Sequence, residues 1–275
     1  MTEHDGLAGP GAPLATGASF PGATAVSRLR VYDWEAADGK RGGSPHLHTA
    51  SAEGYVVLAG QGRLETLSSR GYAETELASG TLLWFTPGTV HRLVNVSGDL
   101  EILVVMQNAG LPEVGDAVLT FPPEVLADPQ RYAQAVAVPP AEEAEAPADA
   151  TEGRAARAAR QRRDLAVEGY LALRDRVLAH GPQELAPLHE AAAQLVAPKV
   201  AQWREKWLRG AREQARRTGA HLDDLASGTA PHLAEATVHT AAPAAGAPRY
   251  GMCGRLGVWD LDGAHLVQGS VTHVL

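Results

Sequence analysis

Pro45-His46-Leu47-His48-Thr49-Ala50-Ser51-Ala52-Glu53 is the stretch on which the reading of the whole chain turns. Residues i and i+2 of a β-strand project from the same face, so His46 and His48 point together if this segment is extended. Glu53 follows His48 after four intervening residues, and a third imidazole, His91, comes just beyond the turn Pro87-Gly88. Three imidazoles and one carboxylate suit a divalent transition metal and leave coordination positions open for a ligand.

Outward from this stretch the chain reads as short strands. Residues 26–34 alternate, with Leu29, Val31 and Tyr32 carrying β propensity. Further runs cover 53–59, 62–67, 72–77, 81–85, 91–95 and 100–107. Turn chemistry separates them: Gly60-Gln61-Gly62, Ser69-Arg70-Gly71, Ser79-Gly80, Pro87-Gly88 and Ser97-Gly98-Asp99. Many short strands at this spacing predict an antiparallel barrel or sandwich. Residues 55–58 are almost wholly apolar, which predicts a strand buried on both faces.

The two polar segments resemble the paired motifs of the cupin superfamily. From His46 to Gly60 the pattern is His-x-His, four residues, Glu, six residues, Gly. The glycine that opens the family's first motif is missing; Lys40 stands there, with Gly39 beside it. In the second motif Gly80, Gly88, His91 and Asn95 fall at the family's spacing, and only Pro87 is displaced, by one position. The resemblance covers residues 25–110, under half the chain. It implies a double-stranded, jelly-roll-like β-barrel with His46, His48, Glu53 and His91 as metal ligands. It also implies one divalent transition metal, iron by preference, with zinc, nickel or manganese as alternatives, and a homodimer. A lone histidine or glutamate is usually a solvated surface group. Four of them at family spacing weigh against that reading.

The resulting class is mainly β with an added α region. Residues 1–24, rich in Gly, Ala and Pro, are expected to be a mobile arm, and 25–138 the barrel, with a short helix near 124–126. Residues 139–152 mix Ala, Pro and acidic groups and read as a linker. Arg and Lys outnumber Asp and Glu across 153–226, in a helical segment ending near 230. Val167, Tyr170, Arg174 and Val177 share one helix face, and His180-Gly181-Pro182 stops that helix. Pro198 opens the next, whose apolar stripe is Val196, Val200, Trp203 and Trp207, closing at Thr218-Gly219. Strands return in 231–275, at 236–240, 249–261 and 265–275, with Asp262-Gly263 as a hairpin turn between the last two. They are expected to pack on the barrel or on a partner subunit. Cys253 reads as a small buried thiol, and His239 and His273 as a weak second metal site.

Composition narrows the function. Of 275 residues, 45% are apolar, enough for a core, and the net charge of −8 argues against nucleic-acid binding. One cysteine forbids an intramolecular disulfide. No long apolar run or signal peptide is evident, so no membrane partner and a cytoplasmic location are expected. No residue outside the metal set stands out as a catalytic acid or base. Tyr55, Arg63, Phe85 and Gln107 are candidate pocket residues for a small-molecule substrate, with Leu47, Trp84, Val104 and Met106 as further lining. Dioxygenase-type oxidation of a small organic molecule is favoured. A metal-dependent isomerase or epimerase of a polar or sugar-like substrate is the second reading, and a ligand-binding sensor barrel the third.

Overall fold

The computed structural model describes residues 20–139 and 153–261, with the backbone of 265–266. Nine strands come first: β1 (Ala25–Val31), β2 (His46–His48), β3 (Glu53–Ala59), β4 (Gln61–Ser68), β5 (Gly71–Ala78), β6 (Leu82–Phe85), β7 (Val90–Asn95), β8 (Glu101–Met106) and β9 (Ala117–Leu119). Helices follow: α1 (Pro123–Leu126), α2 (Pro129–Val136), α3 (Arg154–His180), α4 (Ala186–Val196), α5 (Val200–Arg209) and α6 (Ala211–Ala226). Strands β10 (His239–Thr240), β11 (Arg249–Tyr250), β12 (Gly254–Val258) and β13 (His265–Leu266) complete the described chain. Among the described residues no helix is long and apolar enough to cross a membrane.

Two antiparallel sheets make the double-stranded barrel, which is the cupin-type architecture. One runs β11-β12-β1-β8-β3-β6 and the other β5-β4-β7-β2-β9. Their inner faces meet over a core that includes Leu29, Val57, Leu64, Leu93, Ile102 and Val104. The outer face of the five-stranded sheet is also buried. There Leu47, Leu67 and Val90 join Tyr170, Leu173 and Val177 of α3 in a second core. Strand β2 shows the period-2 logic directly: Leu47 faces the helices, while His46 and His48 face the barrel interior.

Glycine decides one barrel corner and one helix contact. Gly60 takes φ +77°, and a Cβ there would lie 2.7 Å from the backbone of Leu100. In α3, Gly169 packs so tightly that a Cβ would come within 2.1 Å of Thr120 O. Thr120 Oγ1 donates to Ala166 O at 2.9 Å, and the buried guanidinium of Arg163 donates to the carbonyls of Trp34, Glu35 and Gly42. The basic segment is therefore bolted to the barrel by its buried face, not only solvated by its charges. Gly181 stops α3, its N–H donating to Val177 O at 2.8 Å, with Pro182 next.

Several boundaries differ from the sequence expectation. Thr218-Gly219 lies inside α6; the break falls earlier, at Gly210, between α5 and α6. The expected stripe is split between two helices: Val196 ends α4 and is buried, as is Trp203 on α5, while Val200 and Trp207 on α5 are exposed, with nothing covering them among the described residues. Val57 is buried but Leu58 is exposed, so β3 is covered on one face, not both. The expected strand 249–261 is two strands joined at 251–253, and β12 joins the six-stranded sheet beside β1. Strand β13 pairs with β10 rather than with its predecessor. The expected arm up to residue 19, most of the linker, the Asp262-Gly263 turn and His273 lie outside the described residues.

Candidate metal centre

His46 and His48 on β2, Glu53 at the start of β3 and His91 on β7 converge, with one donor atom from each lying within 4.8 Å of the others. Register explains the meeting. His46 pairs directly with His91 across the β2–β7 ladder, and β3 delivers Glu53 from the opposite sheet. The turn carrying the displaced Pro87 is pinned to the same strand, because Gly88 N–H donates to His48 O at 2.8 Å. Asn95, the other polar residue of that segment, is structural. Its side chain donates to Val31 O and accepts from the N–H groups of Gly98 and Leu100.

The second nitrogen of each imidazole fixes what the first can do. His46 Nδ1 sits 2.9 Å from Ser44 O and His91 Nδ1 3.1 Å from Thr89 O. A carbonyl only accepts, so both Nδ1 atoms carry a proton, which leaves Nε2 as the atom of each ring that can bind a cation. Those two Nε2 atoms face each other at 3.2 Å. Glu53 Oε2 lies 3.1 Å from His91 Nε2 and 3.2 Å from His48 Nε2, and it is buried without a well-formed hydrogen bond. Three ring nitrogens and a buried carboxylate oxygen crowded on one another are the donor types and the arrangement that a divalent cation suits. The residues present fit a metal.

Electrostatics follow from this crowding. Burial, with His91 and His48 nearby, holds His46 well below its ordinary value, so it is neutral. Burial opposes charge on His48 too, but Asp116 and Glu53 outweigh it and raise its pKa to about 9 in the metal-free protein. Burial works against the charged form of Glu53 as well, yet contacts from His48 and His91 pull its pKa well down.

Asp116 is the partner the sequence did not reveal. Its Oδ2 lies 3.4 Å from His48 Nδ1. The same carboxylate accepts from the N–H groups of Thr49, Ala50 and Ser51 and from Thr49 Oγ1 at 2.7 Å. Burial opposes its ionisation, but His48 and these donors hold its pKa far below the ordinary carboxylate value. A single Asp just outside the barrel strands carries no motif, so no sequence signal pointed to it.

A cavity of about 340 Å³ opens onto the donor set. His46, His48 and Glu53 line it; Val104, Met106, Met252, Cys253 and Leu256 supply apolar wall, and Glu113, Arg162, Arg249 and Tyr250 add polar groups. Cys253 is buried, its Sγ 3.9 Å from His46 Nδ1, and burial pushes its thiol pKa up. The late strands and α3 therefore complete the pocket, a role their sequence did not announce.

The expected pocket residues divide. Tyr55 is fully buried with its ring 5.4 Å from Phe85, and Phe85 lies 4.2 Å from the His91 ring. Arg63 does not face inward; it pairs with Glu74 and Glu76 on the neighbouring β5. Gln107 is held at the surface, accepting from Ala52 N–H, because β8 has already left the barrel interior there. Trp84 is 72% exposed on the edge strand β6, and Leu47 lies on the helix side. His239 is exposed and outside any donor cluster among the described residues.

A family model agrees with this architecture over part of the chain. Residues 33–106 match the family model described as Cupin domain. No curated protein matches the chain significantly. Similar solved structures include a double-stranded beta-helix protein from Klebsiella pneumoniae, 16% identical over 30% of this chain and 66% of that one, with a TM-score of 0.25. A TDP-fucose-3,4-ketoisomerase from Campylobacter jejuni is 15% identical over 33% of this chain and 64% of its own, with a TM-score of 0.28. Oxalate decarboxylase from Bacillus subtilis is 21% identical over 38% of this chain and 27% of its own, with a TM-score of 0.32. This chain thus spans less than two thirds of the length of each of these structures.

Proposed function

The chain carries a cupin-superfamily barrel, and from that premise we propose that it is a metal-dependent enzyme acting on a small organic molecule. One observation carries the reading. The Nε2 atoms of three imidazoles and a buried carboxylate oxygen converge within a few ångströms, and His46, His48 and Glu53 line a largely apolar cavity. His46, His48, Glu53 and His91 would hold one divalent ion. When bound, such an ion supplies Lewis acidity and, if redox-active, access to dioxygen chemistry.

The chain's own groups prepare the site. Ser44 and Thr89 carbonyls and the Asp116 carboxylate orient the three rings. Val104, Met106 and Met252 exclude water from the pocket and give a substrate an apolar bed. Burial and the nearby Glu53 charge keep the Tyr55 hydroxyl protonated. We favour dioxygenase-type oxidation with iron, since most of the wall beside the donors is apolar and Glu113 is the single carboxylate on it outside the donor set among the described residues.

Glu113 at the cavity wall supports the second reading, an isomerase or epimerase, because proton transfer needs a base. Exposed Leu82 and Trp84 on the edge strand β6 support a homodimer as the assembly. Oxygen consumption by Fe(II)-loaded and Zn(II)-loaded protein, screened with small organic substrates, separates the chemistries. Substrate-dependent uptake with iron alone supports oxidation. Turnover with zinc and no oxygen uptake favours isomerisation, and tight binding without turnover leaves a sensor.

A further inference from the structure

Three arginines are buried among the described residues: Arg92, Arg162 and Arg163. Two of them have acidic partners. Arg92 grips Asp38 at 2.6 and 3.0 Å and lies 3.6 Å from Glu65. Arg163 pairs with Asp164 at 2.7 Å and donates to three backbone carbonyls. Arg162 is different. Its Nη2 donates to Gly251 O and its Nη1 sits 3.5 Å from Val136 O, so both nitrogens meet backbone carbonyls; its Nε, like those of Arg92 and Arg163, is buried without a hydrogen bond. Among the described residues no carboxylate lies within ion-pairing distance of it. Yet Arg162 lines the same cavity as His46, His48 and Glu53.

A buried cation without a counter-ion is costly, and a guanidinium keeps its charge even when buried. Its planar fork matches a carboxylate in bidentate geometry. Arg249, on β11, lines the same cavity and adds a second, exposed cation. Most of the remaining wall is apolar, with Ser27, Glu113 and Tyr250 as its polar members, and a volume of about 340 Å³ admits only a small molecule. From this juxtaposition we propose that the cavity binds a small monocarboxylic acid with an apolar body, its carboxylate held by Arg162 and Arg249 and its body laid toward the metal donors. This assigns a substrate class to the site and rests on the reading above that the cavity is where chemistry occurs. Arg162 belongs to the helical segment and Arg249 to the late strands. Both therefore lie outside the motifs that marked the metal set, and they give the second half of the chain a part in recognition.

The test uses the full chain, first stripped of metal by chelation so that no carboxylate can bind through an ion. Phenylacetate and 4-methylpentanoate are titrated calorimetrically beside their neutral amides, phenylacetamide and 4-methylpentanamide. The acids are expected to bind and the amides not. Arg162→Gln is expected to weaken acid binding by about thirtyfold or more, the loss typical of removing one partner of a buried charge pair. Arg249→Gln, at an exposed position, is expected to weaken it several-fold while leaving the fold intact. It keeps the test decisive if Arg162→Gln does not fold.

Acids and amides binding alike, no binding of either acid, or acid binding untouched by both substitutions would overturn the proposal. The same titrations on metal-loaded protein keep the two readings apart. If acids bind the metal-free chain through Arg162 but the protein takes up no metal, the metal reading fails and the carboxylate site stands. If metal binds stoichiometrically but acids and amides do not differ, the reverse holds.

Discussion

Asp116 shows how far the site extends beyond its four donors. By facing His48 Nδ1 it directs His48 Nε2 toward Glu53, and three backbone N–H groups of residues 49–51 hold it in place. Replacing such an orienting carboxylate typically costs about 10–100-fold in metal affinity. Asp116→Ala should show that loss in a competition assay with a coloured chelator, with the barrel still folded. Unchanged affinity would mean that His48 is positioned by its strand alone. His48 also sets a pH dependence. Its folded pKa, raised to about 9 from 6.5, stabilises the metal-free protein fully below 6.5, and that contribution fades as pH climbs through 9. Glu53 and Asp116, with depressed values, contribute above the ordinary carboxylate range and lose that contribution only in acid. Across the alkaline window, thermal stability of the metal-free form should fall. Metal affinity should rise by about tenfold per pH unit, because one proton must leave His48. A flat affinity profile would show that His48 is not protonated before metal binds. At this scale the four donors were legible because their spacing is a pattern. Asp116 and Arg162 were not, because each acts through a tertiary contact that leaves no interval to read.

Helix α3 is the element that ties the two halves together. Gly169 lies flush against the Thr120 carbonyl, so Gly169→Ala forces apart the helix and the barrel. Overpacking of this kind costs about 1–3 kcal/mol, to be read from denaturant unfolding. A neutral result would mean that the helix shifts freely on the sheet. On α5, Trp203 is buried in the core shared by the helices and the five-stranded sheet. Trp203→Ala should destabilise by about 3–5 kcal/mol, and a loss below about 0.5 kcal/mol would contradict its place in that core. Helix existence was legible from apolar periodicity, and the end of α3 from Gly181-Pro182. The end of α6 was not: Thr218-Gly219 has breaker chemistry but sits on an exposed helix face with open space around Gly219, where glycine is tolerated. The late strands were visible as strands, but their pairing with β1 and β10 is decided by long-range packing, not by local sequence.

At the scale of the molecule, the barrel and the basic helices share one core, and the late strands extend a barrel sheet. The described chain should therefore unfold in a single transition. Helical circular dichroism and near-ultraviolet signals should give the same midpoint, whereas two separated transitions would mean that the helical segment is an independent unit. The double-stranded barrel was legible because strand alternation, turn chemistry and the paired motifs agreed. The pocket was only half legible, because part of its wall comes from Arg162 and residues 249–258, far downstream of the donors in sequence.

The central claim is that His46, His48, Glu53 and His91 form one metal site on a scaffold that stands without it. Elemental analysis of protein purified without chelator, beside His48→Ala and His91→Ala, tests it most directly. The account predicts about one transition-metal ion per chain in the parent protein and little in either variant, with both variants retaining their folded spectra. Full occupancy in both variants, or no metal in the parent protein even after reconstitution, would contradict it.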